Sequence, residues 1–283
     1  MAEVLKGAPV AAAITNDLIS RSRLLNEKGL SPCLAILRVG ERIDDLSYEH
    51  AAQKRCETIG IRVVCIALPQ SCTQVELLSA IDRINRDSTV HGCLMFRPLP
   101  PQLDELAACD ALLPEKDIDC MTPRSLAAVF SGKGRGFAPC TPQACIELLD
   151  YYGISLRGKN IVVIGRSLVI GKPLSMLLQN RDATVTMCHT RTSGIEEICR
   201  RADILVAAAG KAGLVDACFV QPDQVVIDVG VNAAPGGGIC GDVQFDAVSP
   251  IVRAISPVPG GVGSVTAAVL CKHILEAAEA SLR

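Results

Sequence analysis

The sequence contains no tryptophan, and aromatic residues make up only 3% of its 283 residues. Proteins that hold single-stranded nucleic acid stack the bases on aromatic side chains, so this scarcity argues against such a platform. The net charge is −2 and the isoelectric point is about 6.1, whereas a nucleic-acid-binding surface requires a basic patch. We therefore expect no nucleic-acid partner.

Long apolar runs and metal-binding spacings are also missing. No run approaches the ~18 apolar residues that a membrane helix needs, and residues 1–23 contain only a short, interrupted apolar stretch that does not resemble a signal peptide. The 14 cysteines include no C-x-x-C pair, and the four histidines are scattered, so we expect no metal site. These features predict a cytoplasmic protein without membrane contact, whose reduced cysteines pack as small hydrophobic residues.

Strand-like and helix-like patterns alternate along the chain. In the first half, strands are predicted at 33–40, 61–69 and 90–101, with helices at 45–60 and 73–87 between them. This βαβαβ order is typical of a parallel sheet flanked by helices. A glycine-rich stretch at 130–142 marks the predicted domain junction. The pattern then restarts, with predicted strands at 159–165, 183–189, 202–210 and 224–231 and a long final helix at 264–283.

The second half contains a candidate dinucleotide-binding turn, VVIGRSLVIGKPLSMLL at 162–178. Gly165 would permit a tight turn, Gly171 would permit close approach of the backbone, and Pro173 suits the first turn of a helix. A helix N-terminus at this point would present free N–H groups to a phosphate. The spacing is not G-x-G-x-x-G, so the pattern alone is equally consistent with a structural turn.

The next strand bears on the choice of cofactor. It ends in CHTRT, without the acidic residue that holds the ribose hydroxyls of NAD. Thr190 and Arg191 in this stretch, together with Arg166 in the preceding turn, could instead contact a 2′-phosphate, which favours NADP. The alternative is that both arginines are solvated surface charges. Gly210 and Val231 follow the third and fourth strands, where ligands of open parallel sheets bind.

Seven stretches together resemble one family. They are PEKDID (114–119), APCTPQA (138–144), VVIGRSLVIGKP (162–173), ATVTMCH (183–189), ADILVAAAGKAG (202–213), VIDVGVN (226–232) and SPVPGGVGSVTAAVL (256–270). In this order, they resemble the methylenetetrahydrofolate dehydrogenase/methenyltetrahydrofolate cyclohydrolase family over nearly the whole chain. Members oxidise 5,10-methylenetetrahydrofolate with NADP or NAD, and most then hydrolyse the methenyl product to 10-formyltetrahydrofolate in the same cleft.

The resemblance also implies a domain organisation. We expect an α/β fold with an N-terminal substrate domain at 1–138 and a Rossmann-type NADP-binding domain at 139–263. The last helix, 264–283, would return to the N-terminal domain. The folate would bind in a cleft between the domains, and members of the family are usually homodimers.

Individual roles follow from the same resemblance. Tyr48 takes the place of the tyrosine of the family's Y-x-x-x-K motif and would stack on the folate, and Asp119 would anchor the pterin. The P-G-G-V-G loop would line the folate with Pro259, Gly260, Gly261, Val262 and Gly263. The cofactor phosphates would lie against Gly165, Arg166 and Ser167. Thr190 and Val231 would contact the ribose and nicotinamide sides of the cofactor.

Two positions depart sharply from the family pattern. The lysine of Y-x-x-x-K aligns with Ala52, and the glutamine of V-Q-L-P-L-P aligns with Phe96 in MFRPLP. Two smaller departures are Cys120 in place of a glycine and Ser264 in place of a proline. Lys54 is a poor substitute for the lysine, because at about 100° per residue it lies roughly 120° from Tyr48 around a helix. We interpret Lys54 and Arg55 as solvated charges.

The missing lysine affects the two family reactions differently. Ring hydrolysis needs proton transfers, for which a lysine with a lowered pKa is suitable and an alanine is not. Hydride transfer depends mainly on positioning in a dry cleft. The leading hypothesis is therefore an NADP-dependent dehydrogenase whose cyclohydrolase activity is lost or weak. The alternatives are a conventional bifunctional enzyme and a non-catalytic folate- or nucleotide-binding relative.

Overall fold

The computed structural model describes residues 2–134, 136–234 and 236–282, and of Ile43, Asp44 and Ser47 it describes the backbone alone. Contacts divide the chain into two compact units. We call Ala13–Cys140 with Ala267–Arg283 the three-stranded unit, and Met1–Ala12 with Thr141–Thr266 the six-stranded unit.

The elements alternate along the chain much as the sequence predicts. The strands are β1 (Glu3–Val4), β2 (Cys33–Val39), β3 (Arg62–Leu68), β4 (Gly92–Met95), β5 (Asn160–Ile164), β6 (Thr184–Cys188), β7 (Ile204–Ala207), β8 (Val225–Asp228), β9 (Asn232–Ala233), β10 (Ile239–Cys240) and β11 (Ala254–Ile255). The helices are α1 (Gly7–Glu27), α2 (Ile43–Ile59), α3 (Gln74–Arg86), α4 (Glu105–Ala111), α5 (Pro123–Ser131), α6 (Cys140–Tyr151), α7 (Gly171–Gln179), α8 (Ile195–Arg200), α9 (Phe245–Val248) and α10 (Gly263–Ala280).

The three-stranded unit is built on a parallel sheet with the strand order β3-β2-β4. The central strand β2 is almost wholly buried, as expected for an apolar run with helices on both faces. Helix α2 ends at Gly60, whose φ of +84° is easily adopted only by glycine. Helix α3 begins with a capping box between Thr73 and Glu76. These local signals fix the lengths of the helices that flank the sheet.

The six-stranded unit has the order β1-β11-β8-β7-β5-β6, and its strand pairs are parallel. The two-residue strand β1 pairs with β11 through Glu3↔Ala254 and Val4↔Ile255. No sequence pattern predicts this strand, because two residues are too few to show a period. Strands β9 and β10 form a small antiparallel hairpin.

The final helix α10 confirms the predicted return of the chain. From Ala267 onward it belongs to the three-stranded unit, where Glu279 pairs with Arg21 of α1 at 2.9 Å and His273 Nδ1 lies 2.8 Å from the Ile118 carbonyl oxygen. The predicted α/β class with a Rossmann-type domain is therefore correct. Eleven of the 14 cysteine side chains are buried, which agrees with their interpretation as small hydrophobic residues. Among the described helices, none combines the length and apolarity needed to cross a membrane.

Candidate active site

Helix α2 carries the first candidate site residue of the three-stranded unit. Tyr48 is 45% exposed, whereas Ala52, one turn further along the helix, is only 6% exposed. Four residues correspond to about 40° around a helix, so the two side chains share a face. Ala52, which the resemblance aligns with the family lysine, is thus directed inward and carries only a methyl group.

Phe96 lies beside this face. It directly follows β4 and is 8% exposed. Its ring meets the Tyr48 ring edge to face, with the centroids 5.8 Å apart and the planes at 77°. This is a favourable aromatic geometry. The structure therefore brings together Tyr48 and Phe96, the residue that the resemblance aligns with the family glutamine.

The two basic residues of α2 differ in their surroundings. Lys54 is exposed, as expected. The expectation that Arg55 is solvated was wrong: it is partly buried, and its Nη1 donates to Thr15 Oγ1 of α1 at 3.3 Å. Seven residues correspond to about −20° around a helix, so Arg55 lies on the Tyr48 face. The same periodicity that excluded Lys54 could have identified Arg55.

The DID segment provides two carboxylates with different surroundings. Asp117 is fully buried and accepts hydrogen bonds from the Met121 and Thr122 amides, each at 2.8 Å. It therefore stabilises the chain turn that follows. Asp119 accepts a hydrogen bond from the Cys140 amide at 2.9 Å. Burial raises the pKa of Asp119, and the Cys140 hydrogen bond opposes this shift. Asp119 is only partly buried, so of the two carboxylates it is the one that a ligand could reach.

Cys120 follows this pair with a φ of +57°. This left-handed conformation is uncommon for residues with a Cβ and ordinary for glycine. The glycine that the resemblance implies at this position would adopt this conformation without strain, and Cys120 adopts it here.

The glycine turn of the six-stranded unit has the expected close approaches. Gly165 has a φ of +132°, and a Cβ there would lie 2.1 Å from the Ala208 carbonyl oxygen. A Cβ at Gly171 would lie 2.1 Å from the Gly165 carbonyl oxygen. Ser167 Oγ accepts from the Ile170 amide at 3.1 Å. Helix α7 begins at Gly171, with Pro173 in its first turn, so the turn leads directly into a helix N-terminus.

The loop after β6 lies next to this turn, because β5 and β6 are parallel neighbours. Thr192 Oγ1 accepts from the His189 amide at 2.9 Å, and His189 Nδ1 accepts from the Arg191 amide at 3.2 Å. These bonds fix the loop, while the side chains of Thr190 and Arg191 are exposed. Arg166 is exposed at the neighbouring turn. All three predicted 2′-phosphate contacts thus lie at the carboxyl edge of the sheet.

Gly210 and Val231 follow β7 and β8, which are also neighbours. Gly210 has a φ of +65°, and Val231 is 67% exposed. Asp242, which was not among the predicted site residues, connects the two loops. Its carboxylate accepts hydrogen bonds from the Gly210 amide and from Nδ2 of Asn232, the residue after Val231. No spacing rule connects these positions, so the sequence offered no signal for Asp242.

The P-G-G-V-G loop is held by a hydrogen bond from residue 7. The Gly7 amide donates to the Gly260 carbonyl at 2.8 Å, and a Cβ at Gly261 would lie 2.4 Å from the Pro257 carbonyl oxygen. Pro259, Gly260 and Gly263 are exposed. Val262 is only 1% exposed, so its side chain packs in the core and only its backbone could line a ligand.

Comparisons with known proteins agree with these motifs. The family described as tetrahydrofolate dehydrogenase/cyclohydrolase, catalytic domain, matches residues 5–119, and the family's NAD(P)-binding domain matches residues 139–282. The chain is 51% identical over 281 residues to "Bifunctional protein FolD" of Carboxydothermus hydrogenoformans, which covers 99% of this chain and 98% of that protein.

Solved structures of similar proteins share the fold. The bifunctional enzyme FolD, methylenetetrahydrofolate dehydrogenase/cyclohydrolase, of Campylobacter jejuni has a TM-score of 0.95 at 36% identity, with 99% of each chain covered. The Trypanosoma brucei methylenetetrahydrofolate dehydrogenase-cyclohydrolase, solved with NADP cofactor and inhibitor, has a TM-score of 0.91 at 37% identity, with 100% of this chain and 99% of that chain covered.

Proposed function

Because the chain belongs to the tetrahydrofolate dehydrogenase/cyclohydrolase family, we propose that it oxidises 5,10-methylenetetrahydrofolate to 5,10-methenyltetrahydrofolate with NADP and has little or no cyclohydrolase activity. In the oxidation, a hydride leaves the methylene carbon for the nicotinamide, and the positive charge remains on the folate. The protein supplies position and a dry surface, and no proton needs to be donated.

The observation that carries the proposal is the chemistry of the face around Tyr48. Ala52 and Phe96 are buried at 6% and 8% exposure, and neither can accept or donate a proton. The Phe96 ring packs against Tyr48, so the position that the resemblance assigns to the glutamine is filled by an aromatic ring without a hydrogen-bonding group. The groups retained for folate binding, Tyr48 and Asp119, serve both family reactions, whereas the groups replaced serve hydrolysis.

Neighbouring basic residues do not restore the lost function. Lys54 is exposed and directed away from the Tyr48 face. His50 is exposed and two residues from Tyr48, which places it on nearly the opposite face. Arg55 shares the face, but a guanidinium stays protonated in proteins and cannot act as a base. The Tyr48 face therefore has the positive charge of Arg55, but none of these three basic residues could transfer a proton there.

The preference for NADP is supported by three exposed side chains at the carboxyl edge of the six-stranded sheet. Arg166 lies in the loop after β5, and Thr190 and Arg191 lie in the loop after the neighbouring strand β6. A 2′-phosphate carries negative charge that two guanidinium groups bind well. The Trypanosoma brucei relative was solved with NADP. We also propose a homodimer, as the family resemblance implies.

A conventional bifunctional enzyme is the second candidate. It is favoured by the names of the relatives, since proteins 47–51% identical over 96–98% of their own length are called bifunctional. In that case a bound water or another residue would replace the lysine and glutamine. The two candidates differ only in hydrolysis of the methenyl product.

The test uses two assays on the same purified protein. The first measures NADPH formation from methylenetetrahydrofolate, and we expect robust turnover. The second measures the absorbance of methenyltetrahydrofolate, and we expect it to decay no faster than in buffer. The double variant Ala52→Lys/Phe96→Gln should gain hydrolysis, because it restores both groups. Ala51→Lys is the matched control, since position 51 is exposed and the added lysine would face solvent.

A further inference from the structure

The carboxylate of Asp242 collects donors from two loops of the six-stranded unit. Asp242 is fully buried. Its Oδ2 accepts from the amides of Ala209 and Gly210 at 2.6 and 2.9 Å. Its Oδ1 accepts from the Lys211 amide and from Asn232 Nδ2, both at 2.9 Å. A buried carboxylate is stable only with such donors, so these four bonds account for its burial.

Three of these donors are consecutive backbone amides. Successive N–H groups that converge on one anion form a concave anion-binding nest. In this loop the protein's own carboxylate occupies the nest. The N–H groups of residues 209–211 are therefore engaged and cannot bind a cofactor phosphate. What the backbone of this loop can offer a ligand at these residues is carbonyl oxygens, which accept hydrogen bonds from hydroxyl or carboxamide groups.

A second buried carboxylate fixes the backbone of Asp242. Asp228, the last residue of β8, accepts from the Asp242 amide at 3.0 Å, the Gly230 amide at 2.9 Å and the Val243 amide at 2.9 Å. A Cβ at Gly230 would lie 2.2 Å from Asp242 Oδ1, and a Cβ at Gly241 would lie 1.9 Å from Asp228 Oδ2. The two acids are thus packed so closely that neither glycine tolerates a side chain.

We infer that Asp242 is a positioning residue that holds the loops after β7 and β8, with Gly210 and Val231, in the shape that receives the nicotinamide half of the dinucleotide. It ties Gly210 directly and Val231 through the adjacent Asn232. The glycine turn at Gly165, by contrast, makes no bond to Asp242 in the described residues. The inference rests on the proposed function, because it requires a dinucleotide at this edge of the sheet.

The experiment measures binding of two ligands to full-length protein by titration calorimetry. NADPH has both halves of the cofactor, whereas adenosine 2′,5′-bisphosphate lacks the nicotinamide half. Asp242→Asn replaces one acceptor oxygen by an NH₂ group that faces donors, so about half of the four bonds are lost. We expect NADPH to bind roughly tenfold more weakly, with the bisphosphate affinity unchanged within about twofold.

The matched control is Asp246→Asn, which removes the same charge from an exposed position four residues away and should change neither affinity. Should Asp242→Asn fail to fold, Asn232→Ala removes one donor of the four and should show the same selectivity on a smaller scale. Equal weakening of both ligands would mean general damage and would overturn the inference, as would unchanged NADPH binding. If the unmodified protein binds neither ligand, the proposed cofactor is wrong, and the inference is overturned with it.

Discussion

The contact between Phe96 and Tyr48 makes a quantitative prediction for Phe96→Gln. Phe96 is 8% exposed and packs edge to face on Tyr48. Truncating a buried phenylalanine costs about 3–5 kcal/mol, of which a glutamine side chain recovers part by filling the space. Its amide must then be buried, which costs about 1–3 kcal/mol if unpaired. We expect a loss of roughly 2–4 kcal/mol in the free energy of unfolding.

The energy of the Tyr48–Phe96 contact can be measured separately from the energy of burying Phe96. Edge-to-face pairs contribute about 0.5–1.5 kcal/mol beyond the area they bury. A double-mutant cycle of Phe96→Leu with Tyr48→Leu should give a coupling energy in that range. Because Phe96 restrains the Tyr48 ring, Phe96→Leu and Tyr48→Leu should each also raise the KM for the folate more than they lower kcat.

The assay is urea unfolding followed by circular dichroism, with an unchanged m-value required for the comparison. Phe130→Gln is the matched control, because Phe130 is 73% exposed and should lose less than about 0.5 kcal/mol. If Phe96→Gln proved no more destabilising than Phe130→Gln, or if the coupling energy were zero, the burial of Phe96 and its packing on Tyr48 would be refuted.

Two further predictions concern pH and cofactor choice. Burial, followed by the charges of Lys116 and Arg62, lowers the pKa of His91, and its Nε2 is without a hydrogen-bond partner in the described structure. The unfolded chain therefore binds this proton more readily than the folded protein, so the free energy of unfolding should fall as the pH drops below about 6.5. The melting temperature of His91→Gln should depend less on pH than that of the unmodified protein. Equal pH dependence of the two melting temperatures would contradict this prediction. Arg191→Ser should lower the NADP/NAD ratio of kcat/KM by about tenfold or more, whereas Arg157→Ser, whose arginine side chain is 85% exposed before β5, should leave the ratio unchanged.

The elements that the sequence predicts well are those with a long, clear period. Strand β2 and helix α3 extend over 7 and 13 residues, long enough for alternation and helical spacing to be distinct. Strand β1 has only two residues and pairs with β11 about 250 positions away, so its existence depends on tertiary contacts. Local pattern cannot report such a strand.

In the candidate site, too, local features could be predicted from the sequence and tertiary contacts could not. The tight turn at Gly165 was expected from the sequence, and helical periodicity places Ala52 on the Tyr48 face; both features follow from local geometry. The Tyr48–Phe96 contact spans 48 positions of the chain. The bonds from the amides of residues 209–211 to Asp242 span 31 to 33 positions. Their geometry depends on how strands and loops pack, which no spacing encodes. Arg55 is the intermediate case, because helical periodicity alone places it on the Tyr48 face, whereas its bond to Thr15 depends on how the helices pack.

The most direct test of the central claim is the fate of methenyltetrahydrofolate in the presence of the purified protein. The rate of its disappearance is compared with that of buffer alone, in a preparation whose NADP-dependent oxidation of methylenetetrahydrofolate is shown to be active. Because neither Ala52 nor Phe96 can transfer a proton, the proposed function predicts equal rates with and without protein. Protein-dependent hydrolysis at a rate comparable to the dehydrogenase turnover would contradict the account.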